Sequence, residues 1–212
     1  MVDINEQPKL MFHTLGTNQI DDTIIYENPA QPRWGWSISI SENNAYKILS
    51  ISDGTEEKNR VYIQTTDSNE FLPVIDELIG EYAYLTSLDN VLFFYSTENA
   101  SNGKVVTLTI QDGAFVWNDL IAESMLPIRS VNIINKKILV TYLVDTLSKV
   151  KTFDLNGSFL EDFQFAEAGT IGGFYGGIDD EETYFNFTNY ITPSKIYKLN
   201  LNTMEYALFW EE

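Results

Sequence analysis

The sequence predicts an all-β chain: a β-propeller of four-stranded antiparallel blades, about four blades and a leading half blade. Three observations predict it. Apolar residues alternate with a period of two along almost the whole chain. Aromatic residues make up 14% of it, and such side chains pack well on a half-buried sheet. A four-strand unit also recurs, with its first hairpin turn near positions 42, 89, 135 and 180.

The first complete unit defines the repeat. Its strands are predicted at 34–40, 46–51, 60–64 and 71–75, with a polar turn at 42–44 and a longer loop at 53–59. The spacing of about 45 residues between units is that of one propeller blade. An immunoglobulin-like sandwich also has short strands, but it does not repeat such a unit. The propeller is therefore the favoured architecture.

The repeat also predicts the domain organisation. We expect one domain over 1–212, either a partial ring or an atypically closed one, with a half blade at 9–31 and blades at approximately 34–78, 79–126, 127–168 and 169–212. Asp112-Gly113 is a strong turn signal. The single predicted helix covers 119–125, ahead of Pro127. A chain that opens inside a blade is expected to be part of a longer propeller.

Composition excludes several function classes. The net charge of −18 disfavours nucleic-acid and membrane partners, because a polyanion repels phosphates and anionic lipids. The chain has no cysteine and one histidine, too few ligands for a zinc site, and we predict no metal and no cofactor. The first six residues lack the pattern of a signal peptide, so the expected location is cytoplasmic.

Several segments resemble the propeller of the prolyl oligopeptidase family. They are FHTLGT at 12–17 with DD at 21–22, TYLVD at 141–145 with FDLNG at 153–157, and GTIGGF at 169–174 with DD at 179–180 and TYFNFT at 183–188. The matches keep their order and spacing from about Lys9 to Trp210. Each alone is a weak strand-and-turn pattern, but together they are specific.

The resemblance implies a function. In that family a seven-bladed propeller caps an α/β-hydrolase domain and screens its active site, so that only short peptides reach it and are cleaved after proline. This chain would correspond to the later blades of the cap. Its partners would be the α/β-hydrolase domain of a serine-type prolyl endopeptidase and short peptides. The family's loop at the positions of Ser52, Asp53 and Thr55 faces the substrate side. Members carry a basic residue and a cysteine where this chain has Ser52 and Thr55.

The residues themselves exclude a hydrolase triad in this chain. Acyl transfer by an α/β-hydrolase needs a nucleophilic serine in G-x-S-x-G, then an acid and a histidine. The sequence contains no such motif, and its one histidine, His13, lies in a predicted strand near the N-terminus. The acidic run at 179–182 is interpreted as a solvated turn. We therefore predict no catalytic residue here, and no enzyme activity of the chain alone.

Two interpretations of function stay open from the sequence. The leading one is the non-catalytic, substrate-gating part of a prolyl endopeptidase. The alternative is a free-standing propeller that binds a protein or a peptide. Under either, an incomplete propeller exposes blade faces and strand edges, so we expect self-association through open blade edges or marginal stability.

Overall fold

The computed structural model describes residues 7–111 and 113–211. Within these residues the chain forms eighteen β-strands and one single-turn 3-10 helix, Gln19–Asp21, which confirms the all-β class. No helix in the described residues is long and apolar enough to cross a membrane. The predicted turn residue Asp112 and the first six residues lie outside the described part of the chain.

The chain divides into two compact units, residues 1–82 and 83–212, which are described separately. In the first unit, a leading antiparallel hairpin precedes one four-stranded sheet, the first blade. The hairpin is β1 (Leu10–Phe12) and β2 (Thr23–Tyr26), and the blade is β3 (Trp34–Ile40), β4 (Tyr46–Asp53), β5 (Arg60–Thr65) and β6 (Leu72–Ile75).

The second unit contains three further four-stranded sheets, whose strands neighbour one another in sequence order. The second blade, whose first residue still belongs to the first unit, is β7 (Tyr82–Leu88), β8 (Val91–Ser96), β9 (Lys104–Gln111) and β10 (Ala114–Ile121). The third is β11 (Ile128–Ile134), β12 (Lys137–Val144), β13 (Leu147–Asp154) and β14 (Phe159–Asp162). The fourth is β15 (Thr170–Tyr175), β16 (Glu182–Thr188), β17 (Lys195–Asn200) and β18 (Tyr206–Glu211).

Each blade has two distinct ends. At the turn end, the first strand turns into the second and the third into the fourth. At the loop end, the first strand begins and the second connects to the third. Local sequence explains the turns, since Asn135 and Lys136 both have positive φ, 50° and 55°. That pair suits a two-residue turn matching the twist of a hairpin.

Alternating apolar residues bury one blade against the next within the second unit. Ile133, Ile138 and Val140 of the third blade pack with Phe93 and Val105 of the second. On the other side, third-blade residues meet the aromatic core of the fourth blade, which contains Phe174, Phe185, Phe187 and Tyr197. In the first unit, Trp34, Leu49 and Ile51 form the buried cluster of the first blade.

Two local predictions from the sequence are wrong. The helix expected at 119–125 is absent, because β10 continues to Ile121 and pairs with β9 through a bulge after Asp119. That bulge places Ile121 opposite Val105, where its side chain is buried. His13 lies one residue beyond β1 rather than inside a strand. Its Nδ1 is 2.7 Å from Asp22 Oδ1, across the hairpin from β1.

Candidate functional site

The residues predicted to lie near substrate are at the loop end of the first blade. Ser52 and Asp53 are the last two residues of β4, held in the sheet opposite Gly35 and Trp34. Gly54, with φ +62°, then turns the chain toward Thr55. Ser52 and Thr55 are exposed and Asp53 is partly exposed. The structure therefore places the side chains of Ser52 and Thr55 in solvent, beside a carboxylate.

The strand opposite Ser52 leaves little space at that position. A Cβ added to Gly35 would come 2.8 Å from Ser52 Oγ, so a residue larger than glycine there would force the serine side chain to move. A glycine is a usual solution where two parts of a sheet approach so closely. Gly35 thus lets the end of β4 stay paired with β3 up to Asp53.

Arg60 is a cation at the loop end of the first blade, at the start of β5. Its guanidinium carbon lies 4.3 Å from the ring centre of Trp34, and its Nε donates a 2.9 Å hydrogen bond to the Asp76 carbonyl oxygen. Nη1 is 3.9 Å from Asp53 Oδ2 and donates no hydrogen bond to the described residues. A guanidinium stacked on an indole is the usual geometry of a cation–π contact. The loop end therefore carries a largely buried cation whose buried Nη1 atom has no hydrogen-bond partner among the described residues.

Tyr62 lies beside this cation, and Tyr26 lies edge-on to Tyr62 with ring centroids 6.4 Å apart. The Tyr62 hydroxyl donates a hydrogen bond to the Asp76 carboxylate. Burial, and then this bond to Asp76, raise the pKa of Tyr62 above its ordinary value. Burial also raises the pKa of Tyr26, whose ring contacts Trp36 edge-on with centroids 5.1 Å apart. Both phenols are therefore neutral donors rather than bases at neutral pH.

The Asn59 side chain joins the β4–β5 loop to the segment that follows the first blade through hydrogen bonds. Its side chain is buried, donating to Ser50 Oγ at 2.8 Å and to the Tyr82 carbonyl oxygen at 3.0 Å. The Tyr82 amide in turn donates to Asn59 Oδ1 at 2.7 Å. One side chain thus satisfies three groups, and the second end of the loop is fixed while residues 54–58 stay exposed.

Sequence reasoning missed Asn59, Arg60 and Asp76. The available signal is the order Asn59-Arg60 at the start of a strand, directly after a charged loop, but that order alone does not reveal the partners. The arrangement suits noncovalent binding. No group of three side chains that could hold a metal ion occurs among the described residues.

A family model for the prolyl oligopeptidase N-terminal β-propeller domain matches residues 2–211. The chain belongs to this family. Among curated proteins, the prolyl endopeptidase of Elizabethkingia miricola is 32% identical over 202 residues, covering 94% of this chain and 28% of that protein. The prolyl endopeptidase of Elizabethkingia meningoseptica is 29% identical over a match with the same two coverages. The chain thus spans less than a third of the length of these relatives.

Solved structures of prolyl oligopeptidases have the same fold. One comes from a study of inter-domain dynamics in two prolyl endopeptidases, and it matches with a TM-score of 0.88 at 22% identity, over 100% of this chain and 32% of that one. Another is prolyl oligopeptidase B from Galerina marginata, bound to a 35-residue hydrolysis and macrocyclisation substrate. Its TM-score is 0.88 at 19% identity, over 96% of this chain and 30% of that one. The predicted resemblance to this family's propeller is confirmed.

Proposed function

We propose that this chain is the non-catalytic, substrate-gating part of a serine-type endopeptidase that cleaves short peptides after proline. The observation that carries the proposal is the family match over residues 2–211, to a propeller domain rather than to a hydrolase. The relatives named prolyl endopeptidase are more than three times as long as the matched segment, which leaves room for a catalytic domain in them.

The residues of the chain also support a non-catalytic role. A serine hydrolase needs a nucleophile, a general base and an oxyanion hole within one site. The sequence has no G-x-S-x-G motif, and its one histidine, His13, is bound to Asp22 in the leading hairpin. Hydrolysis would therefore depend on residues that the chain does not contain.

We also propose that the loop end of the first blade lies on the substrate side of the active site. Ser52 and Thr55 present small hydroxyls to solvent, and Asp53 between them lies 3.9 Å from Arg60 Nη1. Such a site suits a peptide carbonyl, which accepts hydrogen bonds from hydroxyls.

The test uses the purified chain and a succinyl-Gly-Pro reporter. We expect no hydrolysis above the buffer rate, with the E. miricola enzyme as the active control. A chimera carrying this chain in place of that enzyme's matched 202 residues is expected to cleave the reporter. Cleavage by the chain alone would contradict the proposal.

A further inference from the structure

The chain contains two Asn-Gly dipeptides, and both lie in connections of the second unit. Asn102-Gly103 ends the β8–β9 loop, and Asn156-Gly157 lies in the β13–β14 turn. An asparagine before a glycine can lose its side-chain amide, because the glycine nitrogen can attack the asparagine Cγ atom. Glycine favours this attack since it has no side chain to obstruct it and its backbone is permissive. The two dipeptides are chemically alike, so their surroundings in the fold decide which one reacts.

The attacking nitrogen is held in the same way in both dipeptides. The Gly103 amide donates a hydrogen bond to the Ala100 carbonyl oxygen at 2.9 Å. The Gly157 amide donates to the Asp154 carbonyl oxygen at 3.0 Å. Both glycines also have positive φ, +85° for Gly103 and +81° for Gly157. A difference in reactivity between the two dipeptides must therefore come from their asparagines.

Asn102 is partly buried and is held by three hydrogen bonds. Its Nδ2 donates to the Ser124 carbonyl oxygen at 3.0 Å. Its amide donates to Glu123 Oε1 at 2.6 Å, and its carbonyl oxygen accepts from the Ile128 amide at 2.8 Å. Attack by the Gly103 nitrogen needs rotation of both the asparagine side chain and its backbone carbonyl group. That rotation would break the bonds to Ser124 and Ile128, which slows the reaction by about tenfold or more.

Asn156, by contrast, is exposed, and its side chain makes no hydrogen bond within residues 7–111 and 113–211. Its backbone amide donates to Asp154 Oδ1 at 2.9 Å. No residue in the same ranges donates to its carbonyl oxygen. The side chain can therefore rotate toward the Gly157 nitrogen, and the carbonyl group can rotate as well, without the loss of such a bond. Exposure also admits the water that completes the reaction.

We propose that Asn156 is a site of spontaneous deamidation, with water as the co-reactant. The Gly157 nitrogen forms a bond to Asn156 Cγ, and its proton passes through water to the leaving amide. The Cγ–Nδ2 bond breaks and releases ammonia, which leaves a five-membered succinimide ring. Water then opens this ring at either carbonyl group. Opening at Cγ gives aspartate, whereas opening at the original backbone carbonyl gives isoaspartate, whose backbone runs through Cβ and Cγ.

Isoaspartate at this position alters a turn that packs against the second blade. A Cβ at Gly157 would already overlap the Leu120 carbonyl oxygen, so the turn has little room for an additional backbone atom. The new carboxylate also shares the turn with Asp154, whose Oδ1 accepts from the Asn156 and Ser158 amides at 2.9 and 2.8 Å. Two like charges in one turn repel each other. We therefore expect the modified chain to unfold at a lower urea concentration than the unmodified chain.

The test incubates the purified chain at mildly alkaline pH and follows the tryptic peptides 61–104 and 152–195, which separate the two sites. Mass spectrometry detects the acid, and a protein-isoaspartate methyltransferase with labelled S-adenosylmethionine detects the isoaspartate. In the folded chain we expect Asn156 to convert at least about tenfold faster than Asn102. In guanidinium chloride the two rates should converge, because the hydrogen bonds of Asn102 are lost. Equal rates in the folded chain, or faster conversion of Asn102, would overturn the proposal.

A variant links the reaction to its effect on stability. Asn156→Gln keeps an exposed amide but lengthens the side chain by a methylene group, so the attack would have to close a less favourable six-membered ring. We expect no conversion at this position and no decline of the urea midpoint during incubation. The matched control is Asn69→Gln, at an exposed asparagine that precedes a glutamate, and it should age like the parent chain. A decline that persists in Asn156→Gln would show that this turn is not its source. Neither readout involves peptide hydrolysis, so the result is independent of the proposed function.

Discussion

Arg60 shows how a single side chain can organise a loop end. Its guanidinium stacks on Trp34, bonds to the backbone after β6 through Nε, and faces Asp53 at the end of β4. It thereby contacts residues at the start of β3, at the end of β4 and just after β6. Arginine suits this position because its planar group stacks and donates in fixed directions, whereas lysine offers a point charge.

The first prediction concerns Arg60. Arg60→Lys keeps the charge but loses the stacking on Trp34 and the directed bond to Asp76, so we expect the free energy of unfolding to fall by about 1–2 kcal/mol. Urea unfolding followed by tryptophan fluorescence measures it. Arg33→Lys, at an exposed position next to Trp34, is the control and should change little. Equal stability of the two variants would mean that the stacked guanidinium contributes nothing.

The second prediction concerns alkaline pH and Tyr62. Its folded pKa is raised above the ordinary value near 10, so the stabilisation is complete below about pH 10 and is lost as pH rises toward the folded pKa. Tyr62→Phe has no hydroxyl to titrate, and we expect its unfolding free energy to fall less steeply above about pH 10. Urea unfolding over that pH range tests this, with Tyr190→Phe, a fully exposed site, as control. Parallel pH curves for Tyr62→Phe and the parent chain would contradict it.

At the scale of strands, local pattern and long-range pairing can disagree. Residues 119–125 lie ahead of Pro127 and contain no strong turn signal, so their sequence predicts a short helix. In the structure, β10 pairs with β9 as far as Ile121. Burial of the Ile121 side chain opposite Val105 favours the strand over the helix. Tertiary context of this kind overrides a weak local preference.

The third prediction concerns the turn before β14. Gly157 has φ +81°, and a Cβ there would overlap the Leu120 carbonyl oxygen of the neighbouring blade. Gly113 has a similar φ of +77° but no heavy atom within 4 Å of its would-be Cβ. Gly113→Ala should therefore cost only the backbone strain of ~1–2 kcal/mol. Gly157→Ala should cost at least ~1 kcal/mol more. Urea unfolding of both variants measures the difference, and equal losses would show that the blades can separate freely at that point.

At the scale of the whole molecule, net charge and exposed apolar surface have opposite effects on self-association. The net charge of −18 favours separate molecules in solution. The fourth blade, however, exposes Tyr184, Phe209 and Trp210, and its edge strand β18 pairs with β17 on one side. The self-association expected from the sequence stays a prediction, and these residues give it a location.

The fourth prediction tests that location. We expect the isolated chain to show a concentration-dependent mass in light scattering, increasing with salt because screening weakens the charge repulsion. Phe209→Lys/Trp210→Lys should shift it toward monomer, whereas Ile20→Lys, at an 89% exposed position in the first unit, should not. A monomer at every concentration and salt level would contradict the prediction.

Sequence alone predicted the repeating four-strand unit, because strand periodicity and turn residues such as Asn135 are local signals. It also selected the segment around Ser52 through family resemblance. It did not identify Arg60 or Asn59, whose partners Trp34, Asp76 and Tyr82 lie 16 to 26 positions away and are set by strand register. The uncharged recess lined by Leu147 and Tyr190 was missed for the same reason, since these two residues come together only in the folded second unit.

The central proposal is that this chain gates a catalytic domain and performs no hydrolysis itself. The most direct measurement compares, in the E. miricola chimera, the cleavage rates of a short prolyl peptide and of an unfolded protein carrying the same prolyl bond. The account predicts ready cleavage of the peptide and cleavage of the protein that is slower by at least about tenfold, a barrier difference of ~1.4 kcal/mol. Equal rates on the two substrates would contradict it.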